Sequence, residues 1–296
     1  MDYSKLPTEM QNPKSSRLDL LSVEEILHLM DREDRAVPEA VRKVNPKIAQ
    51  AVRIIVASIK KGGRLFFVGA GTSGRLGILE AAECPPTFHT PAGLVQAVMA
   101  GGRQAVFRSQ EGAEDNASQG RGEIRRRRVR RNDVVIGITA SGVTPFVQEA
   151  LQEAKKRGAH TSLIACNLRT PLRSQGDVLI APRVGPEVIA GSTRLKAGTA
   201  TKLILNRLTV ASMVRLGKVY ENWMVDLEPR SRKLKARALR IFQRFTGVSN
   251  EKAKQLLKRA KGRVKPAILM ARKNLSYAEA RRLLKKTDGF LRKALR

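Results

Sequence analysis

The stretch Arg64-Leu65-Phe66-Phe67-Val68-Gly69-Ala70-Gly71-Thr72-Ser73-Gly74 decides the fold. A short apolar run rich in β-formers ends at Gly69. Small residues follow at once, so the run reads as a buried strand that turns tightly into a helix. Residues 94–99, 133–139, 161–166 and 177–182 are further apolar runs of strand length. Helical stretches such as residues 145–157 lie between them. Continuous apolar strands alternating with helices predict an α/β fold, a parallel sheet flanked by helices on both faces. Ligands on such sheets bind at the C-terminal strand ends, where the strand order reverses.

The flanks are helical. Residues 1–45 read as an arm and a helix opened by the capping box Ser22-Val23-Glu24-Glu25. Pro38 and Pro46 mark breaks, and residues 48–59 are apolar at helical spacing until Gly62-Gly63. A long helix runs from Lys196 to about Leu216 and stops at Gly217. Beyond a boundary at Glu228-Pro229 the strand signals cease. Basic amphipathic helices are predicted there over 230–245, 250–261, 263–273 and 276–286. The organisation expected is therefore an N-terminal arm and helix over 1–45, a ligand-binding α/β domain over 46–228 and a small all-helical domain over 229–296.

Composition bounds the function. The chain has 296 residues, 42% of them hydrophobic, which is enough for a real core. Two cysteines, Cys84 and Cys166, are too few for a disulfide framework or a zinc cluster. No apolar run approaches the ~18 residues of a membrane span, and the polar N-terminus has no signal core. A cytoplasmic protein without membrane partners is expected. The formal charge is +31, and residues 229–296 hold 23 Lys and Arg against 3 acids. A second basic cluster is Arg125-Arg126-Arg127-Arg128-Val129-Arg130-Arg131. Such a balance suits anionic substrates or nucleic acid, although no nucleic-acid motif accompanies it.

Three turns are candidates for anion binding. Gly69-Ala70-Gly71-Thr72-Ser73-Gly74 has the spacing of a dinucleotide fingerprint, but no Asp or Glu lies between Cys84 and Gln110 to hold ribose hydroxyls. Backbone N–H groups at a helix start, with Gly71, Thr72 and Ser73, instead suit a phosphate. The same residues also serve a plain tight turn capped by Ser73. Ala140-Ser141-Gly142-Val143-Thr144-Pro145 repeats the grammar, and proline is favoured at a helix start. In residues 185–202, Ser192, Thr193 and Lys196 gather at a third helix entrance with Arg194 and Lys202. Two carboxyl stretches complete the set. Glu80 and Glu83 precede Pro85-Pro86, which are expected to end the helix. Glu114 lies in Glu111-Gly112-Ala113-Glu114-Asp115. Neighbouring carboxyls raise one another's pKa, as acid–base work requires. The three histidines share no ligand or triad spacing, and Trp223 reads as packing at a domain junction.

Taken together, residues 69–77, 83–87, 111–115, 140–145 and 185–202 resemble the bacterial N-acetylmuramic acid 6-phosphate etherase family, to which the glucokinase regulatory protein is related. The likeness extends to the Thr8-Glu9 and Asn12 arm and to residues 34–38. It implies a sugar isomerase-type, flavodoxin-like three-layer domain with a helical C-terminal domain. It also implies cleavage of the D-lactyl ether at C3, giving N-acetylglucosamine 6-phosphate and D-lactate in cell-wall recycling. By the same resemblance Glu83 is the general acid and Glu114 the general base. Ser73, Ser141, Thr144, Ser192 and Thr193 become sugar-phosphate contacts, beside Gly71, Thr72, Gly142 and Lys196.

The residue types suit that chemistry. Ring opening makes the C2–H acidic, a carboxylate removes it, the C3 oxygen leaves protonated, and water adds back. No metal or redox cofactor is called for. Ser73 and Glu83 stand ten residues apart, about 15 Å on a straight helix. Either the helix bends before Pro85, or Glu83 serves a neighbouring subunit's site, and the second reading leads to the expectation of a homodimer with composite sites. The alternatives are a non-catalytic sugar-phosphate sensor, a sugar-phosphate isomerase, and a nucleic-acid binder acting through the basic clusters.

Overall fold

The computed structural model describes residues 4, 6–227, 229 and 231–296. Contacts divide the chain into two compact units, residues 1–82 with 93–209, and residues 83–92 with 210–296. The division falls at 209–210 rather than at 228–229, and Glu228 lies outside the described residues. It also assigns Glu83 to the second unit.

The first unit is a parallel α/β sandwich. After α1 (Val23–Asp34), α2 (Ala36–Lys43) and α3 (Asn45–Lys60), the chain enters β1 (Leu65–Gly69) and α4 (Gly71–Phe88). There follow β2 (Val95–Met99), the short α5 (Gln104–Phe107), α6 (Ala117–Arg126), β3 (Val134–Ile138) and α7 (Pro145–Lys156). The sheet closes with β4 (His160–Ile164) and β5 (Val178–Ile180), and α8 (Lys196–Arg215) follows. Strand order is β2-β1-β3-β4-β5, with every pairing parallel. All five expected strands are present.

Both faces of the sheet are buried, as the unbroken apolar runs require. Phe66, Val68, Val135 and Leu163 pack with Phe146, Val147 and Leu151 of α7 in one cluster. Leu65, Phe67, Ile136 and Ile138 are as fully buried. Asp133, fully buried, ties the N-terminal edge together. Its carboxylate accepts from the Arg64 and Arg130 backbone N–H groups at 2.8 and 3.0 Å and pairs with the Arg64 guanidinium at 2.7 Å.

The second unit is helical: α9 (Arg232–Thr246), α10 (Asn250–Arg259), α11 (Val264–Lys273), α12 (Tyr277–Lys286) and α13 (Leu291–Leu295). Its core gathers Ile241, Phe242, Ile268 and Leu269. Trp223 packs edge-on to Phe245 at 6.4 Å within this unit. The Ser22 and Ser276 capping boxes are both formed. Both helix ends of α9 and the start of α10 were close to expectation, whereas α13 had no separate signal.

One expectation fails. Pro85 and Pro86 do not end α4, which continues to Phe88. Proline's fixed φ is compatible with a helix, and the lost N–H bonds and the crowding of the ring against the preceding turn are borne here within the last turn. The helix instead stops at His89, whose N–H reaches the Pro85 carbonyl at 2.9 Å and whose φ is +49°.

The approach of α4 to β1 sets the site. A Cβ on Gly74 would lie 2.7 Å from the Gly69 carbonyl oxygen, so only glycine admits the turn. Gly74→Ala is expected to cost about 1–3 kcal/mol in urea unfolding. Gly122→Ala, on an exposed helical position with open space around it, is expected to gain about 0.5–1 kcal/mol.

Candidate active site

The register places two turns side by side. Gly69 pairs with Met99 on one side and Ile138 on the other, so β1 and β3 end at the same height. The strand order reverses between them, which is the position where α/β sheets hold ligands. A cavity of about 300 Å³ opens there. Gly71, Thr72 and Ser73 line it from the first turn, Ser141 and Thr144 from the second, Thr193 from the third, and Glu114 from the loop after β2. These seven residues, distant in sequence, are thus brought together.

The second turn is fixed from within. Thr139 Oγ1 lies 2.7 Å from Thr144 Oγ1 and 3.4 Å from Ser141 Oγ. The Gly142 N–H donates to Thr139 Oγ1 at 3.2 Å, and Asn167 donates to the Ser141 carbonyl at 3.1 Å. Thr170 donates to the Gly142 carbonyl. Gly142 therefore shapes the turn and does not itself line the cavity. Among the described residues no hydrogen bond engages the hydroxyls of Thr72, Ser73 or Thr193. With the starts of α4 and α7 adjoining, the cavity combines helix N-termini with free hydroxyl donors, an arrangement suited to phosphate.

The third turn departs from expectation. Glu187, 1% exposed, accepts from the Lys196 and Ala197 backbone N–H groups, both at 2.9 Å. The start of α8 is therefore already capped by a carboxylate of the chain itself. Lys196 is buried, and its amine meets Glu33 at 2.6 Å rather than lining the cavity. Ser192 also lies outside the cavity lining. Lys202 pairs with Glu80 at 2.7 Å, and Thr209 donates to the same carboxylate. The lysines of this stretch thus serve packing between helices.

Burial alone would push Glu33 up. Hydrogen bonds from Lys14, Lys196 and Asn12 outweigh it and hold the carboxyl down to about 2, against an ordinary 4.5. Cys166 is pushed up to about 12 by burial, with Glu187 adding to it, so its thiol is inert at neutral pH. Among the described residues no cluster of His, Cys, Asp or Glu is suited to a metal, and no helix is long and apolar enough to cross a membrane.

Glu83 is exposed, belongs to the second unit and does not line this cavity. The cavity holds residues that motif reading passed over. Arg75 lines it while donating to the Ala105 and Val106 carbonyls at 2.8 and 2.9 Å. Ser109, Gln110, Thr139 and Glu9 line it too. Three of the six arginines in the basic cluster of residues 125–131 pair with glutamates. Arg125 meets Glu153 at 3.0 Å, Arg126 meets Glu123 at 2.7 Å, and Arg127 reaches Glu123 at 3.4 Å.

Comparison with known proteins settles the family. The chain is 50% identical over 290 residues to the N-acetylmuramic acid 6-phosphate etherase of Geobacillus thermodenitrificans, covering 98% of each. It is 52% identical over 295 residues to that of Salinibacter ruber, covering 99% of this chain and 95% of the relative. The chain belongs to the N-acetylmuramic acid 6-phosphate etherase family. Within it, residues 47–155 match the glucokinase regulatory protein N-terminal SIS domain and residues 118–211 match the SIS domain. A phosphoheptose isomerase from Francisella tularensis shares the fold at a TM-score of 0.52 and 19% identity, covering 66% of this chain and 99% of that one. The etherase family's parallel-sheet domain is thus the one carrying the cavity.

The Glu33 cluster yields two expectations. Lys196→Met leaves a buried carboxylate short of a partner and should cost about 3–5 kcal/mol in chemical denaturation. The Glu33 carboxyl is depressed on folding, so its stabilisation is present above pH 4.5 and is lost as pH falls towards 2. The stability difference between wild type and Glu33→Gln should shrink across that window.

Proposed function

We propose that the cavity at the β1 and β3 strand ends is the centre at which this etherase-family chain cleaves the D-lactyl ether of N-acetylmuramic acid 6-phosphate. The reaction is a carbon–oxygen lyase elimination followed by water addition. The observation that carries the assignment is the single cavity lined by two hydroxyl-bearing turns and by Glu114.

The turns take the phosphate. Backbone N–H groups and the hydroxyls of Thr72, Ser73, Ser141 and Thr144 donate to its oxygens, with the helix starts favouring negative charge. The sugar then extends towards the loop after β2. In the open-chain form the C1 aldehyde acidifies C2–H. Glu114, exposed at the cavity wall, takes that proton. The electrons form the C2–C3 double bond and expel the C3 oxygen, which leaves with a proton as D-lactate. Water then adds at C3, and a proton returns to C2. Each transfer assisted by a positioned carboxyl contributes about 10²–10⁴-fold.

Glu83 supplies the proton to the leaving oxygen, in the cavity of a second copy of the chain. Its exposure and its absence from this cavity support that reading. The functional species is then a homodimer with shared sites. The buried Cys166 thiol suits a reducing, cytoplasmic setting.

Incubation of the protein with N-acetylmuramic acid 6-phosphate should release D-lactate. Glu114→Gln should lower that release by at least 10²-fold and abolish exchange of the C2 hydrogen with solvent. Exchange at the wild-type rate in the variant would remove Glu114 as base. Mixing Glu83→Ala with Ser73→Ala protomers should recover activity that neither has alone. No recovery would return Glu83 to its own protomer or to no role.

A further inference from the structure

The N-terminal arm brings a second carboxylate into the cavity. Glu9 lines it together with Ser73, Glu114 and Thr193. Its placement is determined at several points along the segment that carries the third turn. The Gly191 N–H donates to the Thr8 carbonyl at 3.1 Å. Asn12 donates to the Pro186 carbonyl at 3.3 Å, and Ser15 to the Val188 carbonyl at 2.7 Å. Asn12 and Lys14 both donate to Glu33 at 2.8 Å, the carboxylate that also holds Lys196. Thr8 is buried, and its hydroxyl donates to Glu9 Oε1 at 3.2 Å. A Cβ on Gly191, whose φ is +76°, would lie 3.0 Å from Glu9 Oε2. Glycine there leaves room for the carboxylate.

A carboxylate is an acceptor only. Beside a phosphate it is repulsive, so its value lies with neutral donors. The remaining polar side chains shared by the two phosphate turns are hydroxyls, which suit an anion. A phosphorylated amino sugar presents both classes of group: phosphate oxygens that need donors, and sugar hydroxyl and acetamido N–H groups that need acceptors. We propose that Glu9 is a substrate-binding carboxylate, which accepts hydrogen bonds from the uncharged donors of the sugar and reads the hexosamine end while the turns hold the phosphate. The proposal rests on the assignment of the cavity to the phosphosugar. It makes the arm a working wall of the site. Docking of the arm then controls affinity for the sugar and not affinity for the phosphate.

Calorimetric titration of the full-length protein separates the two ends, with N-acetylglucosamine 6-phosphate and inorganic phosphate as probes. A hydrogen bond to a charged group is worth about 1.5–3 kcal/mol. Glu9→Ala should therefore weaken the sugar phosphate by about 10- to 100-fold and leave inorganic phosphate unchanged or slightly tighter. Glu9→Gln, which keeps one acceptor oxygen, should fall between the two. Asn12→Ala, which releases the arm, should reproduce the Glu9→Ala loss, and the double variant should add little to it. Thermal unfolding run alongside identifies any variant that loses the fold, and in that case Glu9→Gln carries the comparison. Wild-type affinity for the sugar phosphate in Glu9→Ala overturns the role of Glu9. So does a parallel loss for both probes. A wild-type protein that releases no lactate from N-acetylmuramic acid 6-phosphate overturns the assignment of the cavity instead.

Discussion

The close approach of Gly74 to the Gly69 carbonyl is the contact on which the site depends. Any side chain at 74 would push the start of α4 away from the end of β1. The Thr72 and Ser73 hydroxyls would move with it. Parallel register then does the rest. Because Gly69 faces Ile138 across the ladder, the turn after β3 opens at the same level and its hydroxyls meet those of the first. Two ordinary strand–helix turns come to line one cavity through their shared height. The geometry of the cavity is thus a consequence of backbone pairing at the centre of the buried sheet.

A second constraint works from the opposite side. Glu33 is a buried carboxylate with three donors, drawn from the arm (Asn12, Lys14) and from the start of α8 (Lys196). A buried charge without partners is strongly destabilising, so the three donors are held as firmly as the charge they satisfy. Among its described residues the arm forms only short 3-10 turns such as Pro13–Ser15 and Leu18–Leu20, and of its apolar side chains Leu6 is buried while Met10 and Leu20 stay exposed. Ionic and hydrogen-bonded anchoring adds to that small hydrophobic contribution. It explains how a polar N-terminal segment keeps a fixed course past the cavity.

The sheet was legible because each strand is a continuous apolar run bounded by small or charged residues. The two turns that line the cavity followed from the same grammar. The C-terminal helices were legible from capping serines and spacing. What sequence could not deliver was pairing across distance. Lys196 carries the same local signal as a ligand lysine, a cation among small residues at a helix start. Its partner Glu33 is 163 residues away in the chain. Glu187 took the helix start that an anion was expected to occupy. Glu9 sits in a polar arm with no periodicity, so nothing local pointed to the cavity. Pro85 and Pro86 misled because proline disfavours a helix without forbidding it near its end. The glutamate partners of Arg125, Arg126 and Arg127, Glu153 and Glu123, were likewise not readable from the arginine run itself. In the second unit several cations lie over aromatic rings, including Arg240 on Trp223 and Arg292 on Tyr220.

The central claim is spatial: the phosphate of an amino-sugar phosphate lies between the turns after β1 and β3. A crystal structure of the protein with N-acetylglucosamine 6-phosphate tests it most directly. The account predicts phosphate oxygens within hydrogen-bonding distance of Ser73 and of Ser141 or Thr144, with the C2 end of the sugar towards Glu114. A phosphate bound against the basic helices of the second unit, with the β1 and β3 turns unvisited, would contradict it.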